Sequence, residues 1–274
     1  MSNSTVTAVV VSYHTGPRLK ECLYALVSDP DIRQTIIVNN GNPPEMQAWL
    51  TRFVGQRANT EMLDGHGNIG FGAGVNLGVS RADGPDILVI NPDAALRWDS
   101  ITSLQKAAKG LDAPWIVGGR IFDIRGREER GPRRRELTLW RAATSMFGWN
   151  TWTLERTPSP DAPIDMPVIS GAFFLTNKTS MDLLDGFDEG YFLHVEDVDL
   201  CRRCRAANGR VIYDPHAGAL HYGSTSNVPS ATVARHKADG LARYFKKFAR
   251  GPVDRILVFL AVPILRIALT LARR

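Results

Sequence analysis

The first forty residues constrain the fold more than any other stretch. Thr7-Ala8-Val9-Val10-Val11-Ser12 is an unbroken, β-branched run, the pattern of a strand buried on both faces. His14-Thr15-Gly16-Pro17 then turns the chain, with proline near the first helical position. Leu19, Cys22, Leu23 and Leu26 recur at helical spacing, and Thr35-Ile36-Ile37-Val38 is a second buried strand closed by Asn39-Asn40-Gly41-Asn42-Pro43. Strand, helix and strand joined by short links make a βαβ unit. This implies an α/β fold whose sheet binds ligands at its carboxyl edge. Asn39 and Asn40 stand at that edge, either as turn residues or as amides that hydrogen-bond a base or ribose.

Asp64-Gly65-His66-Gly67-Asn68-Ile69-Gly70-Phe71-Gly72-Ala73-Gly74-Val75-Asn76-Leu77-Gly78 contains a formal G-x-G-x-x-G. The dinucleotide fingerprint belongs at the first strand–helix turn with an acid ending the next strand, and neither condition holds. The glycines instead let the backbone approach a ligand or another segment closely, ahead of a helix through Asn76. Asp86-Ile87-Leu88-Val89-Ile90 is a further strand, ended by Asn91-Pro92-Asp93-Ala94. This is either a plain turn or a place where a carboxylate holds a divalent cation against a diphosphate. Asp99 or Ser100 caps a helix expected to reach Leu111, and Trp115-Ile116-Val117-Gly118-Gly119 is another strand.

The net charge of +5 points to acidic partners. Arg125, Arg127, Arg130, Arg133, Arg134 and Arg135 crowd one loop, read either as a solvated face or as a mobile arm clamping phosphates. Nucleic acid fits poorly, for no helix-turn-helix, RNA-recognition motif or interleaved aromatic pattern is present. Three cysteines argue against a disulfide framework. Met1 to Thr5 runs straight into a strand, so no signal peptide is expected. Cys201-x-x-Cys204 with His216 and His221 approaches zinc-finger spacing. However, the cysteines fall on a predicted helix and the histidines flank the strand Arg210–Tyr213, so the cysteines read as packing residues.

Asp188, Glu196, Asp197 and Asp199 lie among aromatics and aliphatics between Gly186 and Arg203. Carboxylates at that density are costly to bury unless they meet metal, arginine or substrate. Glu196 and Asp197 would open a helix from Val195 to Ala207, near its positive end, with Arg202 and Arg203 as partners one turn on. Ser230 to Ala249 reads as a basic helix, broken by Gly251-Pro252. The apolar stretch from Ile256 to Leu271 is interrupted by Pro263 and Arg266, which leaves it short of the ~18 uncharged residues of a spanning helix. Arg255, Arg266 and Arg273 project to nearly one side, the pattern of an in-plane membrane helix. The alternatives are a core helix or a homo-oligomer contact.

In this order the segments resemble the family-2 inverting glycosyltransferases of the GT-A fold, especially their rhamnosyltransferase-like branch. The matching residues are Val10-Val11-Ser12-Tyr13-His14, Val38-Asn39-Asn40-Gly41, Gly67-Asn68-Ile69-Gly70-Phe71-Gly72, Asn91-Pro92-Asp93, Gly171-Ala172-Phe173, Gly186-Phe187-Asp188-Glu189, Glu196-Asp197-Val198-Asp199-Leu200 and His221. The resemblance covers roughly residues 6 to 225. It implies a mixed, mostly parallel sheet, with a GT-A domain over 1–229 and a helical C-terminal extension over 230–274. The nucleotide-sugar half would span about 1–120 and the acceptor half about 121–229. It further implies that Ser12, Tyr13, His14, Asn39, Asn40, Asn68, Gly70, Phe71, Asn76 and Asn91 line the nucleotide-sugar pocket. Asp93 and His221 would bind Mg²⁺ or Mn²⁺. Asp197 would be the catalytic base supported by Glu196, and Gly171, Ala172, Glu196, Arg133 and Arg134 would face the acceptor. Asn39 and Asn91 stand where the family more often has aspartate. A sugar, with rhamnose from dTDP-rhamnose preferred on the resemblance alone, would pass to a glycan or lipid-linked glycan at the cytoplasmic face of the cell membrane. The rival reading is a non-catalytic nucleotide-sugar or membrane-glycan binding module.

Overall fold

The computed structural model describes residues 5–129, 131–146, 154–155, 157–223 and 229–271. All seven residues of β1 (Val6–Ser12) are buried. This strand lies parallel between β2 (Ile32–Asn39) and β4 (Asp86–Ile90), and β3 (Thr60–Leu63) adds in parallel beyond β2. On the other side β10 (Phe173–Asn177) runs antiparallel between β4 and β6 (Trp115–Phe122). β11 (Arg210–His221) then pairs parallel with β6, and β5 (Ala94–Leu96) and β8 (Ile164–Asp165) pair antiparallel with β11. The path is β3-β2-β1-β4-β10-β6-β11-β5, a mixed sheet flanked by helices as expected.

Why β1 is apolar at every position follows from the layers. Val6, Ala8 and Val10 pack with α1 (Arg18–Ser28), α2 (Pro44–Gly55) and α4 (Ser100–Ala108) through Leu19, Leu23, Leu50 and Leu104. Val9 and Val11 alternate to the opposite face and join Val75 and Val79 of α3 (Phe71–Ser80) and Leu200 of α7 (Glu196–Ala206). Leu241, Tyr244 and Phe245 of α8 (Ser230–Lys247), with Val258 and Val262 of α9 (Gly251–Leu271), belong to this same cluster. The core therefore runs without a break across residue 229. The two expected halves also interleave, since β10 of the later half enters the sheet beside β4.

Several boundaries differ from expectation. β2 starts at Ile32, and β11 continues through His216 to His221, so the histidines lie in the strand rather than flanking it. Asp99 occupies the N-cap of α4 at φ 60 without a side-chain capping bond, and that helix stops at Ala108. Pro44–Gly55, Thr60–Leu63 and Ala94–Leu96 were not anticipated as elements.

The glycines of α3 seat that helix directly on the sheet. A Cβ at Gly74 would stand 2.8 Å from Val11 Cγ1, and one at Gly78 only 2.4 Å from Val9 Cγ1. Gly78→Ala should thus cost roughly 1–3 kcal/mol through overpacking against a gain in helix propensity of about 1 kcal/mol, a net destabilisation of up to about 2 kcal/mol. A lower urea midpoint at unchanged slope is the expected observation.

Candidate active site

Parallel pairing sets Ser12 beside Asn39 at the carboxyl ends of β1 and β2. Asn42 ties the two, its Nδ2 donating to Asn39 Oδ1 at 2.7 Å and to Ser12 Oγ at 3.0 Å. The Asn40 N–H donates to the Ser12 carbonyl at 2.9 Å. Asn40 Nδ2 donates to the Gly70 carbonyl at 2.9 Å, which joins the second strand to the glycine-rich loop. Asn68 Oδ1 accepts from the Gly70 N–H at 3.1 Å. Asn39 Nδ2 and Asn40 Oδ1 are buried without a protein partner. A buried donor and acceptor left open at a strand edge suit a polar ligand better than a bare turn. Tyr13 packs edge-on to His14, whose N–H donates to the Gly41 carbonyl at 3.1 Å. Asn76 has another task, because its amide grips the Phe187 backbone, donating to the carbonyl at 2.9 Å and accepting from the N–H at 2.8 Å. It fastens α3 to the turn before the acidic stretch, and so is corrected from pocket residue to tie.

The next strand end carries Asn91 and Asp93. Antiparallel pairing of His221 with Ala94, and a Tyr222 N–H bond to the Asp93 carbonyl at 3.0 Å, bring β11 alongside. His221 Nε2 lies 3.2 Å from Asp93 Oδ1, and Glu129 Oε1 lies 3.5 Å from His221 Nδ1. Burial works against the His221 cation, yet Asp93 and then Glu129 hold its pKa above the ordinary imidazole value. One buried carboxylate and one imidazole nitrogen at this separation fit a divalent cation that takes its other ligands from diphosphate oxygens and water. Among the described residues no group of three or more His, Cys, Asp or Glu forms a protein-only cage.

Two hydrogen bonds link this corner to the acids. The Asn91 N–H donates to the Ala172 carbonyl at 2.8 Å, and the Gly171 N–H donates to Asp197 Oδ2 at 3.0 Å. Asp197 also accepts from the Val198 N–H at 2.8 Å and is ion-paired with Arg134. Burial alone would raise its pKa, but Arg134 and the Gly171 N–H hold it below the ordinary carboxylate range. Glu196 is the opposite case. Burial, then the Asp197 charge, push its pKa up to about 8, and its Oε2 has no partner.

The turn that delivers these acids is strained and braced. His194 and Val195 both have left-handed backbone, at φ 69 and 75, an unfavourable conformation for a β-branched residue. α8 lies against this turn so closely that a Cβ at Gly240 would meet the His194 carbonyl at 2.7 Å. One turn into α7, buried Asp199 receives Arg203 at 2.5 Å, Lys247 at 2.7 Å and the Tyr191 hydroxyl at 3.1 Å. Lys247 and Arg243, each at 2.6 Å, also hold Asp188, whose pKa they lower to about 2 against the effect of burial.

The profile described as "Glycosyl transferase family 2" matches residues 7–184. The chain belongs to that family. Over 249 residues it is 28% identical to N-acetylglucosaminyl-diphospho-decaprenol L-rhamnosyltransferase of Mycobacterium tuberculosis, covering 83% of this chain and 80% of the relative. It is 25% identical to rhamnosyltransferase WbbL of Escherichia coli, covering 81% and 85%. GalNAc-T7, solved with UDP, GalNAc and Mn²⁺, superposes with a TM-score of 0.63 at 12% identity, over 93% of this chain and 54% of its own. The mannosyltransferase PcManGT of Pyrobaculum calidifontis, solved with GDP-Man and Mn²⁺, gives 0.62 at 15%, over 98% and 73%. Both likenesses bear on the fold, which is GT-A.

In this family-2 glycosyltransferase the arginine loop is not a free clamp. Arg133 is buried, donating to the Thr157 and Pro158 carbonyls at 3.0 and 3.2 Å, with Glu128 3.6 Å away. Arg135 pairs with Glu155 and Arg127 with Asp123. Three carboxylates in or near the loop thus engage Arg127, Arg133 and Arg135, and Arg133 is a buried structural residue rather than one facing the acceptor. Arg134 remains at the site as the counter-ion of Asp197, while Arg130 lies outside the described residues. Cys201 and Cys204 are buried, and burial pushes both thiols to about 12, as suits packing residues. Glu129, Lys247 and Arg243 escaped sequence reading because they lie far along the chain from the groups they face. A cavity of about 850 Å³ lined by Asn76, Met181, Phe187, Asp188, Arg203 and Lys247 contains neither the Asp93–His221 pair nor the Glu196–Asp197 pair. The chemistry at the strand edge therefore locates the site better than cavity size does.

Because the Glu196 pKa is higher folded than unfolded, the native state retains a proton that the unfolded chain loses between about pH 4.5 and 8. Stability from this group therefore falls as pH rises through that window. Glu196→Gln should be stabilising relative to the parent, and more so at pH 8 than at pH 5, as read from paired urea titrations.

Proposed function

We propose that this glycosyltransferase moves a sugar, rhamnose being the favoured one, from a nucleoside diphosphate donor to a hydroxyl of a lipid-linked glycan, with inversion and with a divalent cation. The observation that carries this reading is the pair of bonds Asn91–Ala172 and Gly171–Asp197. Through them a cation-binding corner and a carboxylate pair flank one dipeptide. Two relatives named as rhamnosyltransferases, one of them acting on a decaprenol-linked sugar, support the choice of sugar and acceptor. A lipid-linked acceptor would set the enzyme to work at the inner face of the cell membrane. The rival reading, a non-catalytic binding module, has no observation in its favour.

Ser12, Asn39, Asn40 and the Asn68–Gly70 loop would receive the nucleoside, since the unpartnered amide atoms of Asn39 and Asn40 lie at the sheet edge between them. Asp93 and His221 would hold the cation, which when bound neutralises charge developing on the departing diphosphate. A carboxylate of the acid pair takes the acceptor hydroxyl's proton as its oxygen forms the new bond to the anomeric carbon. The bond from that carbon to the diphosphate breaks on the opposite face, and the nucleoside diphosphate leaves. Within the pair we favour Glu196, in its ionised form, as acceptor of the proton, because its buried Oε2 has no protein partner and a pKa of about 8 lets it keep the proton once transferred. Asp197, committed to Arg134 and Gly171, would orient the acceptor and keep the local field negative.

Asp93→Ala should abolish the metal-dependent part of nucleotide binding, and His221→Ala should weaken it less. Calorimetric titration of nucleoside diphosphate with and without Mn²⁺ measures both, and unchanged metal-dependent affinity in Asp93→Ala would remove this corner from the site. Glu196→Gln should lower transfer by about 10²–10⁴-fold while donor affinity holds, the usual worth of a positioned base. Normal transfer in Glu196→Gln with loss in Asp197→Asn would give the base to Asp197. Normal transfer in both would sink the catalytic reading of the acid pair.

A further inference from the structure

We propose that one face of α9 is a docking surface for an anionic lipid bilayer, on which the helix lies in the plane of the membrane. Val258 and Val262 are buried on the side where α9 packs against α8 and α5 (Leu139–Met146). Away from that side, Val253, Ile256, Leu257, Leu260 and Ile264 each have a neighbour three or four residues along, with Phe259 at the margin. That spacing forms a single stripe along the helix. Every one of the six is at least half exposed, and Phe259 reaches 75%. A continuous stripe of large aliphatic and aromatic side chains in water marks an interaction surface rather than ordinary surface apolarity.

Charge selects lipid as the occupant. Residues 230–274 carry ten Lys and Arg against two Asp, although the whole chain has a net charge of only +5. Lys246 and Arg250 are exposed where α8 gives way to α9. Two copies of so cationic a segment would repel face to face, whereas an anionic leaflet attracts each such residue by ~1 kcal/mol near its surface. An apolar stripe beside basic residues is the make-up of a helix lying in the plane of a bilayer, and no helix among the described residues is long and apolar enough to cross a membrane.

The three arginines expected among lipid phosphates do not act together. Arg266 pairs with Asp239 of α8 at 2.7 Å and so fastens α9 to the body. Arg255 is exposed, and Arg273 lies outside the described residues. α8 also braces the His194–Val195 turn, so a bilayer under α9 would be held in fixed relation to Glu196 and Asp197. The purpose of such docking rests on the lipid-linked acceptor proposed above, whereas lipid binding itself does not.

The test is co-sedimentation of the full chain with vesicles of equimolar phosphatidylglycerol and phosphatidylcholine, beside vesicles of phosphatidylcholine alone. The parent should bind the anionic vesicles and release with salt. Ile256→Glu combined with Leu260→Glu should weaken binding by about 100-fold, since two buried aliphatic side chains contribute at least ~1.5 kcal/mol each. Both positions are exposed, so an unchanged thermal unfolding curve should accompany the loss. Lys246→Glu with Arg250→Glu, at the exposed α8–α9 junction, should instead weaken the preference for anionic over neutral vesicles. Equal binding by the parent and the Ile256/Leu260 variant, or no binding by the parent, overturns the proposal. A parent that is dimeric by sedimentation velocity, made monomeric by the double variant and indifferent to vesicles, would assign the face to a second copy. Vesicle binding without any sugar transfer would leave the docking surface standing and the proposed activity refuted.

Discussion

Burial of β1 on both faces and along both edges is the constraint from which the rest follows. A strand with β2 and β4 as parallel neighbours and helices above and below can present polar groups only at its ends. Ser12, Asn39 and Asn91 are the first polar side chains past three such strands, and that shared edge is where the amide network forms. The glycines of α3 serve the same constraint, because the helix must approach Val9 and Val11 closely to bury them.

Electrostatics then separates two adjacent carboxylates into different chemical species. Asp197 gains a guanidinium and two backbone N–H groups and is held ionised, while Glu196 is buried beside that charge without a partner and is held toward neutrality. The helix supplies the Val198 N–H to Asp197 and sets the Asp197 charge beside Glu196, but the other partners that hold Asp197 ionised come from elsewhere. Arg134 and Gly171 arrive from the segments of β7 (Arg133–Arg134) and of the loop between β9 (Val168–Ile169) and β10.

The C-terminal helices belong to this arrangement more closely than an appended segment would. Two left-handed residues in succession cost on the order of 1–3 kcal/mol each and persist only where surrounding structure enforces them. Here the enforcement comes from α8, through contact at Gly240 and through Lys247 and Arg243 on Asp199 and Asp188. Residues beyond 184, outside the stretch that matches the family profile, therefore shape the turn carrying the acids.

The sequence by itself determined the α/β class, the strands at 7–12, 86–90 and 115–119 and the helices around Leu19–Leu26 and Glu196. Each of those rests on local periodicity and on turn chemistry, which act within a few residues. It also put Asp93 and Asn91 at a strand end and singled out the acid pair. Short elements such as β3 and β5 escaped notice because their existence depends on a neighbour to pair with rather than on their own pattern. Only the tertiary structure decided that Arg133 is buried against the Thr157 and Pro158 carbonyls and that Asn76 grips the Phe187 backbone. It alone decided that Glu196 rather than Asp197 keeps an open oxygen. The reason is physical. Charge and hydrogen-bond partners are chosen across tens to more than a hundred residues of chain, and the identity of a side chain says what it can bind but not which partner folding brings within 3 Å of it.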